Sequence, residues 1–211
     1  LEMQHPPYSE EYFENRGIIG KFDLYSGTLE RQFGWYPEVY KQRKYLSASQ
    51  EYYFDIDTIN NLVYISYESS EKIFVFDEMN HKVREFGEAP IDVKYPRLVK
   101  NEDDFLLEFF EIRDEAHLFA QIYFDHMDES VYRIVLLPSD SLNRRVGCPN
   151  NERRKLLQKY DRFGKLTGQF ELPKNILHLI QFNDDTSLKF IGFNMEEQKF
   201  FESNIRLLLR K

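Results

Sequence analysis

The sequence predicts an all-β protein assembled from antiparallel four-stranded sheets. Phe and Tyr together supply 33 of the 211 residues, and aromatic rings suit the pleated, half-buried surface of a strand. Most apolar runs are strand-sized and are separated by Asn, Asp, Gly or Ser, which initiate turns or tolerate their backbone angles. A hairpin-like pattern also recurs along the chain, as is typical of architectures built from repeated sheets.

The recurring pattern is a strand that ends in Asp, a polar turn, and a second strand that ends in Phe-Gly. Residues 19–34 and 72–87 are the clearest copies, and 157–170 is a looser one. Weaker copies are predicted at 120–137 and 199–209. We interpret the Asp as the start of the turn and the Gly as the point where the chain is released towards the next sheet. The aligned acidic residues are Asp23, Asp77, Asp125, Asp161 and Glu202.

Residues 52–87 contain one complete unit, with a strand in each of its four apolar runs. These strands are predicted at 52–56, 62–67, 72–77 and 82–86. A four-stranded meander that repeats every roughly 40–50 residues is the blade of a β-propeller. Further strands are predicted at 105–112, 176–182 and 188–193. Residues 151–160 fit a helix or a strand, and the alignment with the third strand of a blade favours the strand.

The hairpins at 19–34, 72–87 and 157–170 resemble the outer hairpins of six-bladed propellers of the NHL-like and TolB-like kind. The aromatic-rich text around 22–34 and 64–87 resembles, more narrowly, an uncharacterised family of bacterial six-bladed propeller proteins that are often exported and lipid-anchored. This resemblance implies one domain over residues 1–211, with about five of six blades represented and the amino-terminal part missing. It also implies a periplasmic or cell-surface lipoprotein, with a cytoplasmic location left open.

Composition argues against several classes of function. The net charge is −8 with a pI near 5.3, and this field repels nucleic acid, which proteins bind with clustered Lys and Arg. The single Cys148 forms neither an internal disulfide nor a cysteine-rich metal site. No apolar run approaches the roughly 18 residues of a membrane helix. We predict no transmembrane segment, no cofactor, no metal and no catalytic motif.

Two polar or aromatic groups are the candidate ligand-binding residues. Arginines on both sides of the irregular loop 139–155 form a basic island in an acidic chain, and such a loop could contact a phosphate, a carboxylated glycan or an acidic partner. Aromatic rings near the amino terminus could stack on sugars or anchor a protein. The candidates are Arg144, Arg145, Arg153, Arg154, Trp35 and Tyr36.

The leading functional hypothesis is a non-catalytic recognition or scaffold propeller whose ligand is a protein or a glycan. The alternative is a hydrolase or lyase that acts on a glycan or peptide in the propeller channel, for which Glu108, His117, Asp125 and the arginines are the side chains to locate. Alternation along the predicted strand 105–112 would place Glu108 and Glu111 on opposite faces, so that they could not act as a pair.

Overall fold

The protein is described from a computed structural model, which defines residues 17–41, 51–79, 81–97, 105–139, 153–173, 175–182, 187–194, 197 and 199–206. Within these residues the chain forms thirteen strands and two short helices. The elements are β1 (Ile19–Phe22), β2 (Leu29–Phe33), α1 (Glu38–Lys41), β3 (Tyr52–Asp57), β4 (Leu62–Tyr67), β5 (Ile73–Asp77), β6 (Lys82–Phe86), α2 (Phe105–Glu115), β7 (Leu118–Asp125), β8 (Ser130–Leu136), β9 (Lys155–Tyr160), β10 (Leu166–Leu172), β11 (Ile176–Phe182), β12 (Ser187–Asn194) and β13 (Lys199–Arg206).

The described strands form four antiparallel sheets in chain order. A hairpin β1-β2 is followed by the meanders β3-β4-β5-β6 and β7-β8-β9-β10, and then by the three-stranded sheet β11-β12-β13. The all-β class and the four-stranded antiparallel blades are confirmed. The sheet β3–β6 reproduces the predicted unit 52–87 strand for strand, and β9 confirms the strand interpretation of 151–160.

Asp residues start the turns as predicted. Asp23, Asp77, Asp125 and Asp161 each accept a backbone N–H from the residue two positions ahead, at 2.9–3.0 Å. The Phe-Gly ends are confirmed as well, because Gly34 and Gly87 have φ angles of 72° and 124°. At Gly87 a Cβ atom would lie 2.3 Å from the carbonyl oxygen of Glu71, so a larger residue would strain both the backbone and this contact.

Two strand predictions are wrong. Residues 105–112 belong to helix α2 and not to a strand. The hairpin predicted at 199–209 is also wrong, because β13 is one continuous strand in which Glu202 pairs with Ile191 of β12. Ser203 and Asn204, read as a turn, instead continue this ladder, which satisfies their backbone groups.

The hairpin predicted at 120–137 exists, but it has a different place in its sheet. It forms β7 and β8, the first two strands of the second meander, so Asp125 corresponds to Asp57 of the first meander. Asp161 then corresponds to Asp77. The described residues therefore form four sheets, where counting each copy separately gave about five blades.

The central strands β4 and β5 of the sheet β3–β6 are buried on both faces against neighbouring sheets. Alternate side chains such as Ile65 and Phe76 pack with Phe33 of the β1-β2 hairpin. The opposite set, including Val75, packs with Tyr160 of the sheet β7–β10. A third cluster joins β7–β10 to β11–β13 through Leu136, Leu157, Ile176, Leu188 and Phe190. Successive sheets are thus stacked face to face, with β3 against β7, which is a propeller-like arrangement.

Arg133 in β8 joins the second meander to the connections of the first. Its side chain is completely buried. The guanidinium donates to the carbonyl oxygens of Glu71 at 2.7 Å and Glu88 at 3.2 Å, to Gln158 Oε1 at 2.8 Å, and to the Tyr160 hydroxyl at 2.9 Å. Burial lowers the pKa of Arg133, but a guanidinium stays protonated at any ordinary pH. These oxygens, with the Phe119 ring 4.7 Å away, replace the water that the charge has lost.

Neither described helix is long and apolar enough to cross a membrane.

Arg133→Ala is expected to lower the free energy of unfolding by about 3–5 kcal/mol, because four oxygens, two of them buried, lose a charged donor. Urea denaturation followed by circular dichroism measures this loss. Arg162→Ala is the matched control, since its ion pair with Glu129 is exposed and should contribute no more than about 1 kcal/mol. Equal, small losses in both variants would show that Arg133 does not hold the two sheets together.

Candidate functional site

A cavity of about 680 Å³ lies between the segment after β2 and the sheet β3–β6. The β4–β5 connection borders it on one side, and β5 and β6 contribute its wall. Its lining includes Trp35, Tyr36, Ser70, Glu71, Phe74 and Tyr95. Both sequence-predicted aromatic residues therefore line one cavity, whose volume is in the range of small-molecule sites.

Buried tyrosines fix the segment that carries Trp35. The ring centroids of Tyr36, Tyr40 and Tyr67 lie 5.0–6.0 Å from one another, and such tilted aromatic pairs add stability beyond their buried area. The Tyr67 hydroxyl donates to the carbonyl oxygen of Trp35 at 2.5 Å. The Tyr40 hydroxyl accepts the backbone N–H of Ser69 at 3.0 Å. Burial raises the pKa of Tyr40 and Tyr67, so both hydroxyls remain protonated.

Trp35 is itself 42% exposed, although its backbone is held by this cluster. Part of the indole is therefore available at the cavity, while Tyr36 is buried and serves mainly as packing. A ring on a fixed backbone can stack on a ligand without losing much conformational entropy. Of the two predicted aromatic residues, Trp35 therefore has a ring that a ligand can reach, and Tyr36 has a ring that supports the packing beneath it.

The charged side chains of the cavity are mostly acidic. Glu38, Glu71 and Glu85 line it together with a single ammonium group, that of Lys82. Lys82 Nζ lies 2.8 Å from Glu85 Oε2, and the Tyr95 hydroxyl donates to Glu71 Oε2 at 2.8 Å. The cavity therefore offers carboxylate oxygens that accept hydrogen bonds, beside aromatic surface.

An ion pair anchors the connection that borders the cavity. Glu68 directly precedes Ser69 and Ser70 and is completely buried. Its carboxylate receives both terminal nitrogens of Arg113, at 2.7 and 2.5 Å, and its carbonyl oxygen accepts the N–H of Phe119 at 2.9 Å. Burial raises the pKa of Glu68 to about 7, even though the Arg113 charge acts in the opposite direction.

The predicted basic island is divided by the structure. Arg153 is buried and donates to the carbonyl oxygens of Leu137, Arg113 and Ala116 at 2.8, 2.8 and 2.5 Å. A cation at the carboxyl end of helix α2 is favoured because the carbonyl groups there lack partners within the helix. Arg154 is exposed and binds both carboxylate oxygens of Glu171 at 2.8 and 3.1 Å.

Arg144 and Arg145 lie outside the described residues. A ligand-binding role for the four arginines stays a prediction. The contacts of Arg153 support helix α2, whereas Arg154 has its guanidinium at the surface. Glu68, Arg113 and Arg133 were not singled out from the sequence, because burial of a charged side chain leaves no local pattern. Among the described residues, no group of three or more His, Cys, Asp or Glu side chains is placed to hold a metal ion.

Comparison with known proteins supports the fold. No family model and no curated protein matches the sequence. The crystal structure of a member of the DUF4221 family from Bacteroides vulgatus superposes with a TM-score of 0.72 at 15% identity, covering 97% of this chain and 60% of that one. This chain therefore spans about 60% of the length of that structure. A Bacteroides fragilis protein assigned as a 6-phosphogluconolactonase gives a TM-score of 0.33 at 11% identity, over 76% of this chain and 40% of that one, which is too low to support an argument.

Arg153→Ala is expected to destabilise the protein by about 2–4 kcal/mol, because it removes a buried charged donor from three carbonyl oxygens. Arg154→Ala is the matched control in the next residue, with an expected loss below about 1 kcal/mol, since its pair with Glu171 is solvated. Thermal and urea denaturation measure both variants. If Arg154→Ala lowers the free energy of unfolding more than Arg153→Ala does, Arg153 is not the residue that stabilises the carboxyl end of helix α2.

Glu68 is expected to make stability depend on pH. Its pKa is about 7 in the folded protein and near the ordinary 4.5 when exposed, so its contribution to stability is complete below pH 4.5 and is lost as the pH rises to about 7. The difference in unfolding free energy between the wild type and Glu68→Gln should fall across this window by roughly 2–3 kcal/mol.

Urea denaturation at several pH values measures this difference, with Glu85→Gln as the control at an exposed carboxylate. The fall should be specific to the comparison with Glu68→Gln. A difference between the wild type and Glu68→Gln that is constant, or that grows with pH, contradicts the assignment.

Proposed function

We propose that the chain is a recognition module that binds a neutral glycan in the cavity beside Trp35. The observation that carries this proposal is the partly exposed indole, held by its backbone at the border of a 680 Å³ cavity that also contains carboxylates. A sugar ring has an apolar C–H face that stacks on an aromatic ring and hydroxyl groups that donate to carboxylates. Both complementary features are present in this cavity.

The charge of the cavity selects among ligands. The three glutamates outnumber Lys82, which is itself paired. A uronic acid or a phosphate would place a negative charge against these carboxylates, and such like-charge contacts are a strong basis for rejection. Neutral and amino sugars avoid this penalty. The choice of a neutral glycan therefore follows from the polarity of the lining.

The catalytic alternative has less support. In the part of the chain that is described, the side chains on which it depends lie in separate places and none lines the cavity. Glu108, in helix α2, forms an ion pair with Arg97. His117 Nδ1 accepts the N–H of Lys94 at 3.0 Å, and burial lowers its pKa. Asp125 accepts the N–H of Met127 in a turn.

The proposal includes the finer architecture and the cellular context. The four-stranded sheets and the similarity in fold to the DUF4221 structure support a place in a larger propeller. A six-bladed ring of the NHL-like or TolB-like kind is the form that the hairpin sequences favour. Export and lipid anchoring belong to the same proposal and would bring a glycan-binding module into contact with polysaccharide.

Intrinsic fluorescence tests the proposal directly, because Trp35 is the single tryptophan of the chain. Neutral hexasaccharides of β-1,4-linked glucose, xylose, mannose and N-acetylglucosamine are the probes, and oligogalacturonate is the acidic comparison. At least one neutral probe should change the emission saturably, with a dissociation constant in the range of about 10 µM to 1 mM. The acidic probe should give no saturable change.

Calorimetry on two variants gives the control. Trp35→Ala should weaken binding by about tenfold or more, whereas Phe163→Ala removes an exposed ring outside the cavity and should leave the affinity unchanged. The proposal fails if none of the neutral probes binds, if the acidic probe binds best, or if Trp35→Ala keeps the full affinity.

A further inference from the structure

Five turns at one end of the described sheets share the same construction. In an antiparallel meander the first and third turns lie at one end, so the turns after β3 and β5, and those after β7 and β9, face the same way. The β1-β2 turn joins this end, because Arg31 next to it donates to the carbonyl oxygen of Glu78 and lies 3.3 Å from Met79 Sδ. Each of these five turns starts with an Asp.

The residue two positions after each Asp is a large apolar or aromatic one with an exposed side chain. Its backbone N–H donates to the Asp Oδ1 at 2.9–3.0 Å in all five turns. The exposed fraction of the side chain ranges from 56% at Met79 to 102% at Tyr25. We call this set the tip residues; it consists of Tyr25, Ile59, Met79, Met127 and Phe163.

Single exposed apolar side chains are ordinary on protein surfaces. Five at the same position of five equivalent turns form one surface, because contacts connect the turns. Arg162 pairs with Glu129 at 3.1 Å and receives a hydrogen bond at its carbonyl oxygen from Arg84. His126 Nδ1 lies 3.9 Å from Asp57 Oδ1. The Asp hydrogen bonds fix each backbone, so the tip residues project from a rigid frame.

The frame around the tip residues is acidic. Residues 23–27, 57–61, 77–81, 125–129 and 161–165 contain eight carboxylates, of which Asp57 and Asp125 are buried, and two Lys or Arg side chains. Arg31 and Lys159 also reach these turns, so six carboxylates that are not buried stand against four cations. Asp128 and Glu129 are paired, with Lys159 and Arg162. Backbone N–H groups lower the pKa of Asp23 and Asp77, so these two carboxylates keep their charge. An acidic surface disfavours an anionic membrane leaflet and also a second copy of itself, because like charges would meet.

We propose that the tip residues form a docking surface for a partner protein, and that they bind an amphipathic segment whose apolar side chains are flanked by Lys or Arg. Apolar side chains of the segment would contact the tips, and its cations would lie over the carboxylates between them. Two of the five tips are methionines, whose flexible side chains adapt to partners of varied shape. None of the five tip residues lines the cavity of the glycan site, and the β4–β5 connection beside that cavity lies at the other end of the sheet.

Methionine methyl NMR tests this surface on the folded chain. The sequence has four methionines, Met3, Met79, Met127 and Met195, and Met79→Leu and Met127→Leu assign the two tip signals. A short amphipathic helical peptide of leucine and lysine is the probe, and its counterpart with glutamate in place of lysine is the comparison. The lysine peptide should shift both tip signals saturably, and the glutamate peptide should bind at least about tenfold more weakly.

Variants separate the tip residues from general adhesion. The variant that combines Met79→Ser, Met127→Ser and Phe163→Ser should keep the thermal stability of the wild type. Its affinity for the lysine peptide should be lower by about tenfold or more. The control variant combines Ile91→Ser and Phe200→Ser, at exposed apolar sites outside these turns. Its affinity for the lysine peptide should equal that of the wild type. The proposal is overturned by equal binding of both peptides, by binding that survives the triple change, or by tip signals that stay in place. It is also overturned if phosphatidylglycerol vesicles or a rise in protein concentration alone shift the tip signals.

Discussion

Both faces of the central strands β4 and β5 are covered by neighbouring sheets, and this packing places the connections from which the candidate site is built. Alternate side chains of β4 and β5 point to opposite neighbours, so a shift of one residue in register would exchange the two sets and disrupt the packing of both clusters at once. Arg133 reinforces one of these interfaces with polar contacts, since its guanidinium reaches the backbone on either side of β5 and β6. The fold is thus held by apolar burial and by a charge that only the assembled sheets can satisfy.

The same packing explains why the site is rigid. Tyr67 lies in the face that packs against the β1-β2 hairpin, and its hydroxyl holds the backbone of Trp35. Glu68 begins the next connection and is fixed by Arg113 of helix α2, which Arg153 caps in turn. Three elements that are distant in sequence therefore meet at one border of the cavity. The opposite end of the sheets consists of turns in which each Asp side chain accepts a backbone N–H from the residue two positions ahead.

The sequence allowed the hairpins to be predicted because their signals are local. Asp at the start of a turn and Gly after the last strand each satisfy a backbone requirement that does not depend on the rest of the fold. Helix α2 was missed because its aromatic residues suggested a strand. Glu108, Glu111 and Glu115 recur at helical spacing, and this was the available signal; Arg97 lies within 4 Å of all three. Trp35 could be chosen from the sequence as a candidate, whereas Glu68 and Arg133 could not, because their role depends on burial by sheets distant in sequence.

The central claim is that the cavity beside Trp35 binds a neutral glycan, and hydrogen–deuterium exchange with and without a neutral oligosaccharide tests it most directly. The measurement follows every segment of the chain at once. Binding at the proposed site should slow exchange in residues 35–40 and 68–72 and leave the Asp turns after β1, β3, β7 and β9 unchanged. Slower exchange at the turns alone, or no change in either cavity segment at a saturating concentration of oligosaccharide, would contradict the claim.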